Sequence, residues 1–282
     1  MTELHDKLKN LRRIVTQSGR LAVAFSGGVD SALLLRVARE VLPGENLLAL
    51  TARSALFPQW ETREARELAQ GLGVPQLMLD IDILSIPEVT ANPPDRCYFC
   101  KRALFGAVLA EARAQGFETV ADGGNLDDLD DYRPGARAVR ELGIISPLRE
   151  AGLSKAEVRR LSAQMGLSTW DKPAYACLAS RIPYGQALTR ADLERVEKAE
   201  DLLLSLGFRE VRVRCHERLA RLEVGPEERP RFFDARLMDQ VQRELTALGF
   251  SFVTLDLAGY RSGSLNIDVK EDDRLKYAQN RS

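Results

Sequence analysis

Hydrophobic positions in the first 166 residues follow two different periodicities. Leu4, Leu8, Leu11 and Val15 recur at helical spacing and predict an amphipathic helix over residues 3–18. Short apolar runs then alternate with longer segments of helical pattern. The short runs predict strands at 21–25, 47–51, 77–81, 119–121 and 144–147. The longer segments predict helices at 31–41, 59–71, 97–114 and 154–165.

The last of these helices carries its own boundary signals. Ser154 precedes it, Glu157 follows at the spacing of a capping box, and Gly166 ends it. Strands that alternate with helices in this way predict right-handed crossovers and a parallel sheet with helices on both faces. Such sheets bind ligands at the carboxyl ends of their strands.

The pattern changes after Gly166. Residues 167–188 are rich in proline turns and aromatic side chains and predict an ordered loop. Beyond it, the pattern predicts a helix at 189–206, strands at 211–215 and 219–224, a long helix at 227–248 and a strand at 252–257. We therefore predict an α/β domain over residues 1–168 and a smaller α+β domain over residues 169–282.

Composition restricts the class of protein. The chain has 282 residues, 45% of them hydrophobic and 29% charged, which is typical of a globular protein with two domains. The formal net charge of -1 does not favour a nucleic-acid partner. No apolar run approaches the length of a membrane span, and the N-terminus lacks a signal-peptide pattern, so we expect a cytoplasmic protein. Its four cysteines are then expected to be metal ligands or catalytic groups, not disulfides.

The loop Ser26–Ser31 is the first candidate site. It joins a predicted strand to a predicted helix, and its two glycines allow backbone N–H groups to face an anion. Asp30 adds a negative charge, which suits a phosphate only if a divalent cation accompanies it. The loop lacks the lysine of a Walker A motif. It resembles the PP-loop of ATP pyrophosphatases, which split ATP into AMP and pyrophosphate and adenylate a substrate.

Three cysteines form the second candidate site. Cys97 and Cys100 make a C-x-x-C motif, which is compatible with a redox or sulfur-relay pair, part of a zinc site, part of an iron–sulfur site or a structural role. Cys177 lies in the turn-rich loop, four residues before Arg181, and suits a low-pKa thiolate; the alternative is a small buried residue. Together the three are enough to hold a [4Fe–4S] cluster. We expect Cys215, on a strand, to belong to the core.

Polar groups in three further segments are candidates for anion or metal binding. Arg212 and Arg214 share one face of a strand and form either a phosphate or carboxylate clamp or a solvated surface. The loop 122–128 follows a strand and either holds Mg²⁺, lines a nucleotide pocket or is an acidic solvated loop. The segment 259–266 is rich in donors and suits contact with an anion.

Taken together, these sequence motifs are similar to those of the LarE sulfur transferases of the PP-loop superfamily, which help to make the nickel-pincer nucleotide cofactor. The resemblance is carried by Ala24–Ser31, Ala176–Gly185 and Gly259–Asn266, with support from Asp131–Gly135. It implies an adenine nucleotide alpha hydrolase-like fold. It also implies that a carboxylate of a pyridinium biscarboxylate mononucleotide is adenylated and its oxygen replaced by sulfur, first at one carboxylate and then at the other.

The resemblance implies roles for individual residues. Asp30, Cys97, Cys100 and Cys177 are implied to be catalytic. The nucleotide contacts it implies are Ala24, Ser26, Gly27, Gly28, Asp30, Ser31, Thr51, Gly123 and Asn125. The substrate contacts it implies are Ser180, Arg181, Glu200, Arg212, Arg214, Arg261, Ser262 and Ser264. The implied positions for Mg²⁺ are Asp30 and Asp128.

The family has two branches that differ in the source of sulfur. In one branch the cysteine that matches Cys177 gives up its own sulfur, and each protein is consumed. In the other, three cysteines hold a [4Fe–4S] cluster that carries a further sulfide. Because Cys97 and Cys100 accompany Cys177, this chain resembles the cluster branch.

The expected ligands are therefore ATP, Mg²⁺, a [4Fe–4S] cluster, a small-molecule nucleotide substrate and a sulfide source. A homo-oligomer is also expected, with the C-terminal domain supplying contacts. Three competing interpretations remain open: a PP-loop tRNA thiolase with a three-cysteine cluster, a non-thiolating PP-loop amidotransferase or synthetase, and a nucleotide-binding regulatory module.

Overall fold

The structure, a computed structural model, describes residues 2–129, 134–173 and 176–261. Within these residues the chain forms two compact units. The first comprises the described residues of Met1–Ile83 and Cys97–Tyr175, and the second comprises those of Leu84–Arg96 and Ala176–Ser282. The sequence pattern had not indicated that residues 84–96 accompany the C-terminal unit, and the division after residue 168 stays a prediction.

The first unit is built on a parallel sheet, and the second on a smaller mixed one. The described strands are β1 Leu21–Ala24, β2 Leu47–Arg53, β3 Gln76–Asp80, β4 Thr119–Ala121, β5 Val211–His216, β6 Leu219–Val224 and β7 Phe252–Leu255. The described helices are α1 Thr2–Gln17, α2 Val29–Val41, α3 Gln59–Gly71, α4 Pro87–Thr90, α5 Arg96–Ala114, α6 Pro134–Glu141, α7 Pro147–Glu150, α8 Lys155–Gln164, α9 Arg190–Ser205 and α10 Ala235–Ala247. The sequence pattern did not predict α4 or α6.

The sheet of the first unit has the strand order β3-β2-β1-β4, and every neighbouring pair is parallel. Alternate residues of β1 face opposite sides. Leu21 and Val23 join a core cluster with residues of α1, α2 and α8, whereas Ala22 joins a second cluster with residues of α5. The predicted parallel sheet with helices on both faces is therefore confirmed.

The predicted start of α8 is also confirmed. The Ser154 hydroxyl accepts a hydrogen bond from the Glu157 N–H, and the Glu157 carboxylate accepts one from the Ser154 N–H. Gly166, with a φ of 68°, provides the left-handed residue that ends the helical segment. Both boundaries follow from local chemistry that the sequence displays.

Two predicted elements are wrong. Residues 144–147 form no strand, since only Ile145 makes an isolated parallel bridge, to Ala121, and Pro147 begins the short helix α7. Proline lacks the N–H that a ladder needs and fits the first turn of a helix. The helix predicted at 227–248 is divided into a 3₁₀ turn at Arg229–Phe233 and α10. The Asp234 carboxylate caps α10 by accepting the Arg236 N–H at 2.9 Å.

The described residues of the second unit form a three-stranded sheet of order β5-β6-β7. β5 and β6 are antiparallel, whereas β6 and β7 are parallel. The apolar side of α9, which includes Leu193, Val196 and Leu203, is buried, and α9 packs against β5. None of the helices in the described ranges is long and apolar enough to cross a membrane.

Candidate functional site

The loop between β1 and α2 has the conformation expected of an anion-binding turn. Gly27 has a φ of +74°, and a Cβ there would lie 2.9 Å from the Cβ of Ala65 in α3. Gly28 is the N-cap of α2, and no side chain of the described residues caps this helix end. Because the loop stays close to α3 and the cap is a glycine, the first N–H groups of α2 are left for a ligand.

Hydroxyl groups hold this loop in place. Ser26 and Ser31 place their Oγ atoms 3.2 Å apart, and the Ser31 hydroxyl donates to the Gly28 carbonyl at 3.1 Å. The buried Thr51 hydroxyl donates to the Phe25 carbonyl at 2.7 Å, next to Ala24, the last residue of β1. The structure thus gives Thr51 a role in fixing the strand end, and its contact with a nucleotide stays a prediction.

The loop after β4 meets the start of α2, as expected for neighbouring parallel strands. A Cβ on Gly123 would lie 2.8 Å from the backbone N of Ser31, so only glycine permits this approach. The Asn125 side-chain amide donates to Asp30 Oδ1 at 3.0 Å, and the Asn125 N–H donates to Asp128 Oδ2 at 3.0 Å. The structure therefore brings together these five residues that the sequence had singled out separately.

Lys155 is a member of this site that sequence reasoning missed. Its ammonium group donates to Asp30 Oδ2, and its N–H donates to Asp127 Oδ2 at 3.1 Å. Lys155 is the first residue of α8, a position where acidic residues are favoured by the helix dipole. A lysine directly after the capping Ser154 was the signal that could have drawn attention to it.

Cys177 precedes a 3₁₀ turn that covers Leu178–Arg181. Its side chain is half-buried, and its carbonyl accepts hydrogen bonds from the Ser180 N–H at 2.9 Å and Arg181 Nη1 at 3.2 Å. The same Nη1 also donates to the Ala176 carbonyl and to the Ser180 hydroxyl. The Arg181 guanidinium thus holds the backbone on both sides of the cysteine.

Arg181 is itself fixed by a buried ion pair. The residue is only 1% exposed, and its Nε and Nη2 donate to the two carboxylate oxygens of Glu200 at 2.8 and 2.9 Å. Glu200 Oε1 also accepts the Val213 N–H at 2.9 Å. Glu200 therefore joins the Cys177 turn to α9 and β5. Contacts of Arg181 and Glu200 with a substrate stay predictions.

Arg212 and Arg214 are buried, with exposures of 3% and 6%, so the alternative of a solvated strand face is wrong. Arg214 forms a bidentate pair with Glu223 at 2.9 and 2.7 Å, and its Nη1 donates to the Ser180 carbonyl at 2.7 Å. Arg212 lies over the Tyr260 ring, 4.8 Å from its centroid. Both guanidinium groups thus lie within the second unit, and Arg214 contacts the Cys177 turn directly.

Burial and a neighbouring positive charge both act on the Arg212 guanidinium. Burial lowers the pKa of its guanidinium, and the charge of Arg181 lowers the pKa further. Glu200 opposes this shift but does not cancel it. Because a lowered arginine pKa means that its positive charge is disfavoured, a bound anion would restore the balance.

The segment after β7 returns to the end of β6. Gly259 has a φ of +71°, and a Cβ there would lie 2.7 Å from the Val224 carbonyl oxygen. The Tyr260 N–H donates to the same carbonyl at 2.9 Å, which places the ring at Arg212. Arg261 is exposed. Ser262 and Ser264 lie outside the described residues, as do residues 131–133 of the supporting string.

The four cysteines form no disulfide in the part of the chain that the structure describes, and their surroundings differ. Cys97 is half-buried and Cys100 is buried, and both belong to the first turns of α5, where a spacing of three residues puts them on one face. Cys215 is buried, and burial raises the pKa of its thiol to about 11, which confirms the interpretation as a core residue. Within the described ranges, no three His, Cys, Asp or Glu side chains form a group that could hold a metal ion.

Comparison with known proteins adds independent information. The NAD synthase family model matches residues 3–93, a range that contains the loop Ser26–Ser31. An uncharacterized protein of Synechocystis sp. is 45% identical over 264 residues, which cover 93% of this chain and 98% of the relative. The pyridinium-3,5-bisthiocarboxylic acid mononucleotide synthase of Lactiplantibacillus plantarum is 41% identical over 266 residues, 94% of this chain and 96% of the relative.

A more distant similarity concerns the competing interpretation as a tRNA thiolase. The tRNA-specific 2-thiouridylase MnmA of Frankia alni is 30% identical over 191 residues, which cover 55% of this chain and 53% of that protein. The similarity to the mononucleotide synthase extends over nearly the whole of both chains, through the Cys177 turn and both sheets. The chain therefore belongs to the LarE-type sulfur transferases and is a sulfurtransferase enzyme with a PP-loop domain.

Proposed function

We propose that this enzyme inserts sulfur into pyridinium-3,5-biscarboxylic acid mononucleotide in an ATP-dependent reaction. A carboxylate of the substrate is adenylated, pyrophosphate is released, and sulfur then displaces AMP to leave a thiocarboxylate. The proposal is supported by the 41% identity to a named pyridinium-3,5-bisthiocarboxylic acid mononucleotide synthase. The conformation of the loop Ser26–Gly28 supports the use of ATP.

Activation by ATP makes the substrate carboxylate reactive toward a sulfur nucleophile. A carboxylate repels nucleophiles, and its oxygen is a very poor leaving group. In the proposed first step a carboxylate oxygen attacks the α-phosphorus of ATP, and the electron pair of the broken P–O bond leaves with pyrophosphate. In the second step a sulfur nucleophile attacks the carbonyl carbon, and the C–O bond to AMP breaks. The N–H groups at the start of α2 bind the phosphates.

The observation that carries the substrate assignment is the buried arginine pair beside the Cys177 turn. Arg214 donates to the Ser180 carbonyl within this turn, and Arg212 lies buried on the same face of β5. Burial and the charge of Arg181 lower the pKa of Arg212, and a bound anion would oppose that shift. We infer that the phosphate or a carboxylate of the mononucleotide binds there. Arg181 and Glu200 keep the turn in position for this contact.

We propose that Cys97, Cys100 and Cys177 hold a [4Fe–4S] cluster. The described residues place none of the three in a disulfide, and thiolates are the ligands that iron–sulfur clusters take, so the chemistry of these side chains suits a cluster. When bound, such a cluster would supply an exchangeable sulfide for the displacement of AMP. In the alternative, Cys177 donates its own sulfur and the chain is consumed.

Mg²⁺ fits Asp30 poorly as the structure places it. Both carboxylate oxygens already accept hydrogen bonds, one from Asn125 and one from Lys155. Asp128 accepts the Asn125 N–H. We therefore derive no step through a metal ion on these residues, and we propose that Mg²⁺ enters as part of the ATP substrate. A cytoplasmic location, a homo-oligomeric state and an external sulfide source remain proposals.

Mass spectrometry of the intact protein, combined with pyrophosphate release, tests the proposal. We expect that anaerobically purified protein releases pyrophosphate only when the biscarboxylate mononucleotide is present, and that the product gains sulfur. An unchanged protein mass after turnover supports the cluster, whereas the loss of one sulfur's mass at Cys177 supports sacrificial donation.

Cysteine variants supply the controls. Replacing Cys97, Cys100 or Cys177 by Ala should remove iron and stop sulfur insertion while leaving adenylation intact. The matched control is Cys215→Ala, which alters a buried thiol that the proposed reaction does not use. Absence of substrate-dependent pyrophosphate release from the wild-type protein would contradict the proposed function.

A further inference from the structure

We propose that Asn92 and Arg96 are positioning residues for the proposed iron–sulfur site, because they fix the Cys177 turn and the chain segment that leads into Cys97. The inference rests on the proposed function, in which Cys97, Cys100 and Cys177 hold a cluster. Both positioning residues are buried, with exposures of 0% for Asn92 and 2% for Arg96. Neither is proposed as a ligand.

The Arg96 guanidinium contacts the Cys177 turn directly. Its Nη1 atom donates a hydrogen bond to the Ala179 carbonyl at 3.2 Å, two residues after the cysteine. The same guanidinium lies over the Tyr184 ring, 5.8 Å from its centroid. Arg96 is the first residue of α5 and directly precedes Cys97. One side chain therefore connects the start of the C-x-x-C motif with the turn that carries the third cysteine.

Asn92 joins Arg96 to the chain that follows this turn. Its side-chain oxygen accepts a hydrogen bond from Arg96 Nη1, and its side-chain amide donates to the carbonyls of Pro183 and Gln186 at 2.8 and 3.1 Å. The Asn92 carbonyl accepts the Gly185 N–H at 2.9 Å. These contacts bring together segments that lie more than 90 positions apart in the chain.

The backbone of Asn92 is held in an uncommon conformation. Its φ is 53°, in the left-handed region that asparagine adopts more readily than most residues with a Cβ. Such a conformation is unfavourable and persists where the surrounding contacts determine it, often next to a functional site. Here the contacts of the side chain and of the carbonyl supply that constraint.

Other arginines of the second unit hold the same turn. Arg181 and Arg214 each donate to a carbonyl group within it. Together with Arg96, three buried guanidinium groups fix one short turn. A turn held in this way presents Cys177 in a restricted set of positions, which reduces the entropy that is lost when its thiolate joins the other two on a metal. Arg96 differs from the other two arginines because it comes from the segment that leads into the C-x-x-C motif.

The test measures binding of Co²⁺ alone to the metal-free chain under anaerobic conditions, because thiolate ligands give Co²⁺ a strong charge-transfer absorption. Arg96→Met removes the hydrogen-bond donors, and Arg96→Lys keeps the positive charge. Asn92→Asp keeps an acceptor for Arg96 but removes the amide donors. Cys177→Ala removes the third thiolate and gives the affinity of the remaining pair.

Arg231→Met is the matched control. Arg231 also donates to two backbone carbonyls, those of Leu206 and Gly207, and lies over an aromatic ring, that of Phe208. Its contacts are thus of the same kind as those of Arg96 but involve a different part of the second unit. Thermal unfolding of each variant shows whether it is folded. The iron content after anaerobic reconstitution provides a second measurement.

We expect Arg96→Met to weaken Co²⁺ binding by about 10- to 100-fold, as is typical when a residue that orients a metal ligand is replaced. Arg96→Lys should recover part of this affinity, and Asn92→Asp should bind Co²⁺ more weakly than the wild type. Arg231→Met should match the wild type. The iron content of the reconstituted variants should follow the same order.

Equal Co²⁺ affinities of Arg96→Met and Arg231→Met would overturn the inference, since the effect would then not be specific to the Cys177 turn. Equal affinities of Cys177→Ala and the wild type would overturn the proposed set of three cysteines, and this inference with it. Failure of the wild-type protein to release pyrophosphate with the biscarboxylate substrate would instead overturn the proposed function.

Discussion

Glycine residues decide how closely the segments of the nucleotide loop approach their neighbours. Gly27 combines a left-handed backbone with a close approach to Ala65, and Gly123 lies against the backbone of Ser31. At both positions a side chain would occupy the space of a neighbouring segment. The loop therefore depends on the absence of a Cβ as much as on the hydroxyl groups of its serines.

Substitution of Gly27 should reveal this close approach. Gly27→Ala is compared with Gly19→Ala, because Gly19 has a similar φ of +66° but open space around its Cβ position. Both variants should lose about 1 kcal/mol of unfolding free energy for the left-handed conformation. Gly27→Ala should lose about 1–3 kcal/mol more because Ala65 must move. Urea unfolding measures both values, and equal losses would contradict the prediction.

The two arginines of β5 differ in how their positive charges are balanced. Arg214 has Glu223 as a bidentate partner, so Arg214→Met leaves a buried carboxylate less compensated and should cost about 3 kcal/mol of unfolding free energy. Arg212 is disfavoured by burial and by Arg181, so Arg212→Met should cost less unfolding free energy than Arg214→Met.

The value of kcat/KM should also distinguish the roles of the two arginines. Arg212→Met should lower kcat/KM for the mononucleotide by about 10- to 100-fold, since it removes a charged hydrogen bond to an anion. Chemical denaturation and steady-state assays on the two variants provide the measurements. An Arg212 variant that is strongly destabilised, yet binds the substrate normally, would show that the guanidinium serves the fold.

At the scale of an element, α8 shows how local signals and long-range contacts combine. The capping box of Ser154 and Glu157 starts the helix, and the same Glu157 carboxylate accepts Lys7 of α1 at 2.8 Å. Burial raises the pKa of Glu157, but the hydrogen bonds from Lys7 and Ser154 outweigh burial, so the pKa lies below its ordinary value. The start of α8, and with it Lys155, is thereby tied to α1.

This ion pair predicts a pH dependence of stability. A lowered carboxyl pKa stabilises the fold above the pKa of the unfolded chain, 4.5, and this contribution is lost as the pH falls through the folded pKa. Wild-type protein should therefore be more stable than Lys7→Gln at about pH 7, and the difference should be smaller at about pH 3. Urea midpoints at the two pH values test this, and a difference that persists undiminished in acid would contradict it.

The elements that were predicted wrongly share a physical cause. Residues 144–147 are apolar enough for a strand, but Pro147 begins a helix and leaves a single bridge at Ile145. The helical pattern over 227–248 continues through Arg229–Phe233, where the chain forms a tighter turn before Asp234 caps α10. Hydrophobic periodicity reports which face is buried, whereas prolines and caps decide where an element begins.

At the scale of the whole molecule, charge bears on the choice of substrate. The chain has 40 Lys and Arg residues against 41 Asp and Glu residues, and several arginines of the second unit are already paired with carboxylates. A protein that binds tRNA tightly needs an excess of basic groups to displace counterions. The partial similarity to a tRNA-specific 2-thiouridylase does not extend over the whole chain.

We therefore expect no specific binding of tRNA. In a filter-binding assay with bulk tRNA, the dissociation constant at physiological salt should be larger than about 1 μM. Values in that range are typical of non-specific binding. A tRNA-specific 2-thiouridylase serves as the positive control. Tight binding that weakens steeply with salt would favour the tRNA thiolase over the proposed sulfur insertase.

The sequence by itself determined the parallel sheet, the loop Ser26–Ser31, the capped start of α8 and the membership of Cys215 in the core. These features depend on local chemistry: periodicity, glycine positions and capping groups within a few residues of one another. Family resemblance added the assignment of sulfur chemistry, which the similarity to a named synthase bears out.

Only the tertiary structure decided which distant groups meet. The contacts of Asp30 with Asn125 and Lys155 join residues separated by 95 and 125 positions, and the pairing of Arg214 with Glu223 depends on the register of β5 and β6. Such contacts depend on packing between elements, which hydrophobic pattern does not specify. For this reason the sequence indicated a charged loop that suits a phosphate, whereas the fold supplied the lysine that accompanies it.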